Sequence, residues 1–346
     1  MISVDGGAQS LRALLALFVL GSLGACKGKE SLGVNCVTPR QACAGKSCGE
    51  VCSACSEASV TTPDIAGTCG ADGVCAVAAP VCGQVDGGVS GGCGKTGAAT
   101  GQLTGQSITV AGQTRTYALS VSAGYTGATP LALVLVWHGA NIDGSTARKL
   151  FNLEAKSNGA AIFVYPDGLA SGLWDVSSGS ADFRLFEELV SSLSSNYCID
   201  PNRIFSTGHS TGAVMTNALG CTYGDVLRAI APASGTPPGT GGRANCIGKV
   251  AALVAHGEND TLVPFSQGQA TRDFWIAQNG CTTQTAAWAP EPVCVAYQGC
   301  QTDLPVVWCV HDGGHAWPSL SYGCDLDGGT CIDGGAAIWS FFSSFH

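Results

Sequence analysis

A serine between two glycines is the feature of this sequence with the clearest chemical potential. The segment Gly208–Gly212 has the form Gly-x-Ser-x-Gly, with Ser210 at its centre. In a chain with 49 glycines the motif alone is weak evidence. It is strengthened by the strand-like run Arg203–Ser206 before it and by apolar residues at helical spacing from Ala213 to Leu219 after it. Because such a tight strand-to-helix turn projects the central hydroxyl from the top of a sheet, we predict that Ser210 is a nucleophile.

A serine nucleophile requires a base, and the base requires an acid that orients it. The predicted strand Val250–Ala255 leads into a loop that contains Glu258 and Asp260. Asp260 lies just beyond the carboxyl end of this strand, where the acid of a catalytic triad belongs, and Glu258 is its rival. We predict Asp260 as the acid, and the alternative is a simple turn residue.

Six histidines compete for the role of the base, and four of them have another explanation. His138 and His256 each precede a glycine directly after a predicted strand, a position typical of tight turns. His209 adjoins the nucleophile, where it is a candidate to line a pocket, and His346 is the last residue. Two histidines downstream of the acid therefore remain.

The base is one of two histidines in the segment Val306–Trp317. His311 continues the predicted strand Val306–Val310 and could point into the core. His315 follows two glycines and lies in a loop ahead of the last predicted helix, Ala336–Phe345. We predict His315 as the base. The resulting order along the chain, serine then acid then histidine, is that of the α/β-hydrolases.

Acyl transfer also requires two fixed N–H donors for the oxyanion that develops during the reaction. We predict the backbone N–H of Thr211, directly after the nucleophile, as the first donor. The second is the N–H of Ala140, in the loop after the predicted strand Leu131–Val136, where Gly139 permits a close turn. The alternative is that this loop only ends a strand. The candidates for pocket walls are Trp137, Trp174, His209 and Trp317.

Strand-like and helix-like segments alternate through the part of the chain that carries these residues. Besides the strands named above, the predicted strands are Ala161–Tyr165 and Ala229–Ala231, and the predicted helices are Thr146–Asn158 and Asp182–Leu193. A hairpin with strands Ser107–Val110 and Thr114–Ser120 is expected ahead of them. This alternation predicts an α/β fold with a mostly parallel sheet flanked by helices. The active site of such a fold lies at the carboxyl ends of the strands.

The composition supplies ample material for a core and excludes some partners. Of the 346 residues 45% are apolar and only 12% are charged, and the net charge is −9. This negative charge argues against nucleic acid or an anionic membrane surface as a partner. We expect a monomer that uses no metal and no cofactor.

The start of the chain has the pattern of an export signal. Arg12 supplies a positive charge, Ala13–Leu20 is a short apolar core, and small residues lead to Cys26. The ending Leu-Gly-Ala-Cys predicts a lipoprotein signal over residues 1–25, with Cys26 carrying the lipid. The alternative is an ordinary secretory signal, so the protein is expected either at a bacterial cell envelope or outside the cell.

The cysteines support an oxidising compartment, in which we expect disulfide bonds. Without Cys26, 18 of the 19 cysteines remain, nine within Cys36–Cys93 and nine within Cys198–Cys331. Because each block is odd, at least one disulfide must connect them. We predict that Cys93 bridges into the later block, and the remaining connectivity stays open.

Residues 26–92 are predicted to form a cysteine-rich module with a glycine-rich linker, and residues 93–346 the catalytic domain. Large apolar residues are nearly absent from the module, so disulfides must replace an ordinary core. The cluster Cys48, Cys52 and Cys55 also admits a zinc site, but the segment has no histidine and disulfides are favoured. The module is either a spacer or a polymer-binding unit, and Asp86–Gly92 is expected to be a flexible joint.

The chain from Gly92 to its end resembles the secreted feruloyl esterases and polyhydroxybutyrate depolymerase-like enzymes. The strings that carry the resemblance are Gly92–Lys95, His138–Gly139, Tyr165–Gly168, Cys198–Arg203, the segment around Ser210, His256–Asp260, Asn279–Cys281 and Gly313–Pro318. The resemblance implies the triad Ser210, Asp260 and His315, the same residues that the spacing selects. It departs from the family at Ala213, where many relatives have a second glycine, and it does not cover Cys36–Cys82.

The resemblance also implies a function. We expect a serine carboxylesterase that acts on feruloyl or acetyl esters of plant cell-wall polysaccharide. The alternative substrate is a polyhydroxyalkanoate. A hypothesis from another class is a non-catalytic surface lipoprotein that binds a polymer or a partner.

Overall fold

The protein divides into two units, Met1–Cys82 and Gly83–His346. This computed structural model describes residues 51–54, 65–69, 75–76, 90–169, 172–177, 179–239, 246, 248–319 and 332–346. The predicted signal peptide, the lipidation site Cys26 and most of the cysteine-rich module lie outside these residues. Within the described residues, no helix has the length and apolarity needed to cross a bilayer.

The described backbone of the smaller unit forms an antiparallel sheet of three strands. Its strands, in spatial order, are β1 (Val51–Ala54), β2 (Ile65–Cys69) and β3 (Cys75–Ala76).

The larger unit is built on a ten-stranded sheet with helices between the strands. The strands are β4 (Gly101–Val110), β5 (Gln113–Val121), β6 (Leu131–Trp137), β7 (Ala161–Pro166), β8 (Ile199–His209), β9 (Ala229–Ala233), β10 (Ala251–Gly257), β11 (Thr285–Ala287), β12 (Cys294–Tyr297) and β13 (Val306–His311). The helices are α1 (Gly144–Phe151), α2 (Leu153–Ser157), α3 (Ala181–Asn196), α4 (Thr211–Thr222), α5 (Phe265–Asn279) and α6 (Gly334–Ser343).

The order of the strands confirms the predicted α/β-hydrolase class of fold. Across the sheet it is β11-β12-β13-β10-β9-β8-β6-β7-β5-β4. The six strands from β13 to β7 are parallel, and an antiparallel pair is added at each end. β6 and β7 are buried almost throughout, as continuous apolar runs predict for strands covered on both faces.

The strand order also determines where the crevice lies. β6 pairs with β7 on one side and with β8 on the other, so the direction of the chain across the sheet reverses at β6. Ligands of open α/β sheets bind outside the carboxyl ends of the strands at such a reversal. There, Trp137 at the end of β6 pairs with Gly208 near the end of β8.

One expectation about local structure is wrong. The predicted helix Thr146–Asn158 is two helices, α1 and α2, because Asn152 between them has a left-handed conformation with φ 47°. Of the expected joint Asp86–Gly92 only the last three residues are described, and its flexibility stays a prediction. The hydroxyl of Ser90 donates to the carbonyl of Tyr197 at 2.8 Å and accepts the N–H of Ile199 at 2.7 Å.

The disulfide expected between the two cysteine blocks is confirmed, because Cys93 pairs with Cys198. It ties the start of the larger unit to the residue that precedes β8. The other disulfides among the described residues are Cys221–Cys246, Cys281–Cys300 and Cys294–Cys309. The last of these joins opposite residues of the antiparallel strands β12 and β13.

Candidate active site

Ser210 occupies a strained turn between β8 and α4. Its backbone has φ 58° and ψ −121°, a conformation that residues other than glycine rarely adopt and that costs about 1–3 kcal/mol. The surroundings hold it there: its N–H donates to the carbonyl of Ala233 at 3.0 Å, and its carbonyl accepts the N–H of Ala213 and Val214. The serine is therefore presented at the carboxyl edge of the sheet, between β8 and the helix that follows.

The two glycines that flank the serine are required by close approach of backbone to backbone. A Cβ at Gly208 would lie 2.5 Å from the carbonyl oxygen of Gly212 and 2.7 Å from that of Trp137. A Cβ at Gly212 would overlap the carbonyl of Trp137. Both glycines thus allow α4 to start directly against the end of β6.

The structure brings the three predicted triad residues into one hydrogen-bonded chain. Oγ of Ser210 lies 2.8 Å from Nε2 of His315, and Nδ1 of His315 lies 2.7 Å from Oδ2 of Asp260. Because an ionised carboxylate only accepts, Nδ1 carries the hydrogen and Nε2 is free to accept the proton of the serine hydroxyl. This is the arrangement that a serine nucleophile with a histidine base requires.

Asp260 is held as a carboxylate although it is only 6% exposed. Burial alone would raise the pKa of its carboxyl group, but the hydrogen bonds from His315 and from the N–H groups of Val263 and Leu262 keep that pKa below its usual value. The two N–H groups donate to Oδ1 at 2.9 and 3.0 Å, which leaves Oδ2 for the imidazole. Asp260 therefore stays charged despite its burial.

The loop that carries His315 packs closely on the loop that carries Asp260. A Cβ at Gly257 would overlap the carbonyl of Gly313 and lie 2.5 Å from that of Gly314. The N–H of Asn259 donates to the same Gly313 carbonyl at 3.1 Å. The two glycines before the histidine thus form part of the contact that positions it.

The rivals considered for these roles lie elsewhere. His311 is buried within β13, and its Nδ1 accepts the N–H of Gly313 at 3.2 Å. Glu258 is exposed, and its N–H donates to the carbonyl of His311. His346 is an exposed residue at the end of the chain.

The loop after β6 faces Ser210. A Cβ at Gly139 would lie 3.3 Å from Cβ of Ser210, so the backbone that leads to Ala140 passes directly over the serine. Thr211 is the first residue of α4, where N–H groups lack a partner within the helix and where the helix dipole favours negative charge. The predicted oxyanion donors therefore belong to backbone on two sides of Ser210.

His138 fixes the conformation of that loop. Its Nδ1–H donates to the carbonyl of Gly139 at 2.7 Å, and its Nε2 accepts the N–H of Gly168 at 2.9 Å. The indole N–H of Trp174 donates to the carbonyl of His138 at 2.9 Å. Burial lowers the pKa of His138, which keeps the ring neutral and able to accept. Sequence reasoning assigned this histidine only to a turn.

The four candidates for pocket walls differ in position. Trp137 is wholly buried: its indole N–H donates to the hydroxyl of Ser206 at 3.0 Å, and its ring meets that of Trp174 edge-on with 4.9 Å between centroids. Trp317 stacks on Phe151 with 3.9 Å between ring centroids. The ring of His209 lies 4.8 Å from that of His315, and burial lowers its pKa to about 3. Aromatic rings therefore extend sideways from His315 through His209 to Phe151 and Trp317.

A buried ion pair, which sequence reasoning missed, supports the loop between β7 and α3. The guanidinium of Arg115 lies 2.7 Å from the carboxylate of Asp182, and it also donates to the carbonyl of Asp167. Asp182 accepts the N–H of Asp175 at 2.7 Å, and Asp167 accepts that of Gly144 at 2.8 Å. An arginine at an inward position of a strand was the available signal for this pair.

Comparisons with known proteins agree with this geometry. Residues 176–291 match the family described as Phospholipase/Carboxylesterase. Feruloyl esterase D of Neurospora crassa is 32% identical over 231 residues, which cover 61% of this chain and 77% of that protein. Feruloyl esterase C of Emericella nidulans is 31% identical over 241 residues, which cover 66% and 83%. The solved acetyl xylan esterase from Aspergillus awamori, 19% identical, has a similar fold, with a TM-score of 0.52 over 62% of this chain and 95% of that chain.

Proposed function

Because the chain belongs to the feruloyl esterase family of α/β-hydrolases and is a carboxylic ester hydrolase, we propose that it cleaves esters through an acyl-enzyme on Ser210. The observation that carries the proposal is the hydrogen-bonded chain from Ser210 through His315 to Asp260. In both hydrogen bonds the donor and acceptor are placed as proton transfer from the serine to the histidine requires: Nδ1–H of His315 donates to Asp260, and Nε2 accepts from Ser210.

The proposed reaction has two halves. Oγ of Ser210 attacks the ester carbonyl carbon while Nε2 of His315 takes the hydroxyl proton, and Asp260 stabilises the imidazolium. The N–H groups of Thr211 and Ala140 bind the oxyanion. The imidazolium then protonates the leaving alcohol oxygen. Water, activated by the same histidine, attacks the acyl-enzyme and releases the acid.

The proposed substrate is an acyl ester of plant cell-wall polysaccharide, with a feruloyl group preferred to an acetyl group. The names of the relatives support this class. Two exposed leucines in loops of the site favour an apolar acyl group: Leu262 is 75% exposed and bonds through its N–H to Asp260. Leu173 is 55% exposed and follows Gly172, whose carbonyl lies 3.4 Å from the hydroxyl of Thr211.

The domain organisation and location belong to the same proposal. Residues 93–346 form the catalytic domain, residues 26–92 a cysteine-rich module with a glycine-rich linker whose end bonds to that domain through Ser90, and residues 1–25 a signal peptide. The disulfides of the larger unit support folding outside the cytoplasm. We further propose a lipid on Cys26. The variant Cys26→Ser should leave the membrane fraction or remain unprocessed, and a wild-type protein that is soluble and starts at another residue would refute the lipid.

Two experiments test the function. The purified protein should react with a fluorophosphonate probe, and Ser210→Ala should not, because only an activated serine is labelled. In a panel of methyl ferulate, acetylated xylan, a short-chain nitrophenyl ester and polyhydroxybutyrate, methyl ferulate should give the highest kcat/KM. Hydrolysis of polyhydroxybutyrate alone would favour the polyester alternative. Absence of labelling and of turnover would favour a binding protein.

A further inference from the structure

His256 lies directly beside the acid of the proposed triad, and the mechanism above gives it no task. It is wholly buried near the end of β10. Its Nε2 lies 2.9 Å from the carbonyl oxygen of Val263 and 3.4 Å from Oδ2 of Asp260. Because a carbonyl oxygen only accepts, Nε2 must carry a hydrogen, and that hydrogen lies between the carbonyl and the carboxylate.

The ring has no freedom to turn away from this position. Helix α5 crosses its other side at Gly268, where any Cβ would overlap the imidazole at Nδ1. Nδ1 has no hydrogen-bond partner among the described residues. The glycine therefore allows α5 to press the histidine against the loop of the acid.

Asp260 is consequently held at both of its oxygens. Oδ1 accepts the N–H groups of Leu262 and Val263, while Oδ2 faces two imidazoles, that of His315 at 2.7 Å and that of His256 at 3.4 Å. The two N–H groups alone would allow the carboxylate to tilt about Oδ1. A donor beside Oδ2 opposes that tilt.

We propose that His256 is a positioning residue for the esterase reaction: its Nε2–H links the carbonyl of Val263 to Oδ2 of Asp260 and holds that oxygen in line with Nδ1 of His315. The inference rests on the proposed function, since it assigns a task only if Asp260 orients the base. It concerns a residue that touches no substrate.

A neutral ring is needed for this task, and the surroundings provide it. Burial lowers the pKa of His256, and the nearby His315 lowers it further, whereas the carbonyl of Val263 and the carboxylate of Asp260 act in the opposite direction. The other ring against it is that of Phe265, which carries no charge. A neutral donor orients Asp260 without competing for its charge with the imidazolium that forms on His315.

The test compares variants of the full chain that keep or remove this donor. His256→Gln retains an N–H near the position of Nε2, and His256→Leu removes it at similar volume. His256→Leu should lower kcat by about tenfold to a hundredfold at unchanged KM, the cost of a misplaced catalytic group. In the same variant, the acidic limb of the pH profile of kcat/KM should move to lower pH, because a tilted Asp260 carboxylate stabilises the imidazolium of His315 less. His256→Gln should recover most of kcat and the position of the limb.

The matched control is Asn279→Leu, which removes a buried side chain that bonds the carbonyls of Val250 and Leu304 at the opposite end of β10. It should lower stability and leave the pH profile of kcat/KM unchanged. If His256→Leu does not fold, His256→Asn, whose amide is too short to reach, replaces it.

The positioning role would be overturned if the variant without the donor, His256→Leu or His256→Asn, had the wild-type kcat per folded molecule and the wild-type acidic limb of kcat/KM. An equal loss in the glutamine and donor-free variants would do the same. Ser210→Ala, measured alongside, distinguishes failure of the proposed function from failure of the positioning role alone. If it stays active, the proposed function fails, whereas an inactive Ser210→Ala beside an unaffected His256 series refutes only the positioning role.

Discussion

At the scale of single residues, three histidines around the candidate site have pKa values lowered by their surroundings. Burial lowers the pKa of His138, His209 and His256, and for His209 the value is about 3. In the unfolded chain these histidines have the ordinary pKa of about 6.5. Between that pH and the lowered pKa of the folded protein, the unfolded state therefore binds more protons than the folded state. Stability is therefore present above about pH 6.5 and is lost as the pH falls through this window.

His209 gives the sharpest test of this linkage. The variant His209→Phe retains a ring beside Phe151 but does not titrate. The free energy of unfolding, measured by urea denaturation from pH 7 to pH 4, should fall less steeply in the variant, by up to about 1.4 kcal/mol per pH unit for one proton. An identical slope in both proteins would show that folding does not lower the pKa of this histidine.

The places of individual residues in the fold could be predicted where chain order decides them. Ser210, Asp260 and His315 each follow a strand, and parallel strands bring their carboxyl ends to one edge. The contacts of His256 and Trp137 could not be predicted. A histidine or tryptophan at the end of a strand can face solvent, core or a neighbouring loop, and only packing between distant elements selects one of these.

At the scale of elements, the loop between β7 and α3 is supported by the buried pair Arg115 and Asp182. Removing one partner of such a pair leaves the other charge buried without a counter-charge, whereas replacing both by apolar residues is often tolerated. Arg115→Leu should therefore lower the free energy of unfolding by about 3–5 kcal/mol. The double variant with Asp182→Leu should recover part of that loss.

Urea denaturation of the wild type, both single variants and the double variant measures this coupling. A double variant whose loss equals the sum of the single losses would show that the pair contributes nothing as a pair. The activity of each variant with a nitrophenyl ester, per folded molecule, reports whether the loop also supports the site.

The elements themselves were largely predictable, and their ends were less so. Continuous apolar runs located β6 and β7 because both faces of these strands are covered. The break at Asn152 was not predicted, since asparagine is tolerated both inside helices and in the left-handed turn that ends them. The choice depends on how α1 and α2 each pack.

At the scale of the whole molecule, the residues proposed for chemistry all lie in the larger unit. Ser90 is bonded to this unit at Tyr197 and Ile199, and Cys93 is linked to Cys198. A chain without residues 27–89 keeps all of these contacts. Its kcat and KM for a short-chain nitrophenyl ester should be nearly unchanged.

The same shortened chain should show whether the cysteine-rich module contributes to polymer substrates. A loss of activity confined to acetylated xylan would indicate that the module binds polymer. Unchanged activity on every substrate would indicate that the module is a spacer. A shortened, folded chain that no longer hydrolyses the nitrophenyl ester would contradict the assignment of the catalytic domain.

The central claim is that Ser210 and His315 act as one unit. Its most direct test is kcat for Ser210→Ala, His315→Ala and the double variant, with His311→Ala as the buried control on the adjoining strand. Each single variant should lose several orders of magnitude, roughly 10⁴–10⁶-fold, and the double variant should lose little more, because removing either residue already disables the pair. Melting temperatures should change little, and His311→Ala should retain most activity. An active His315→Ala beside a folded but inactive His311→Ala would contradict the account.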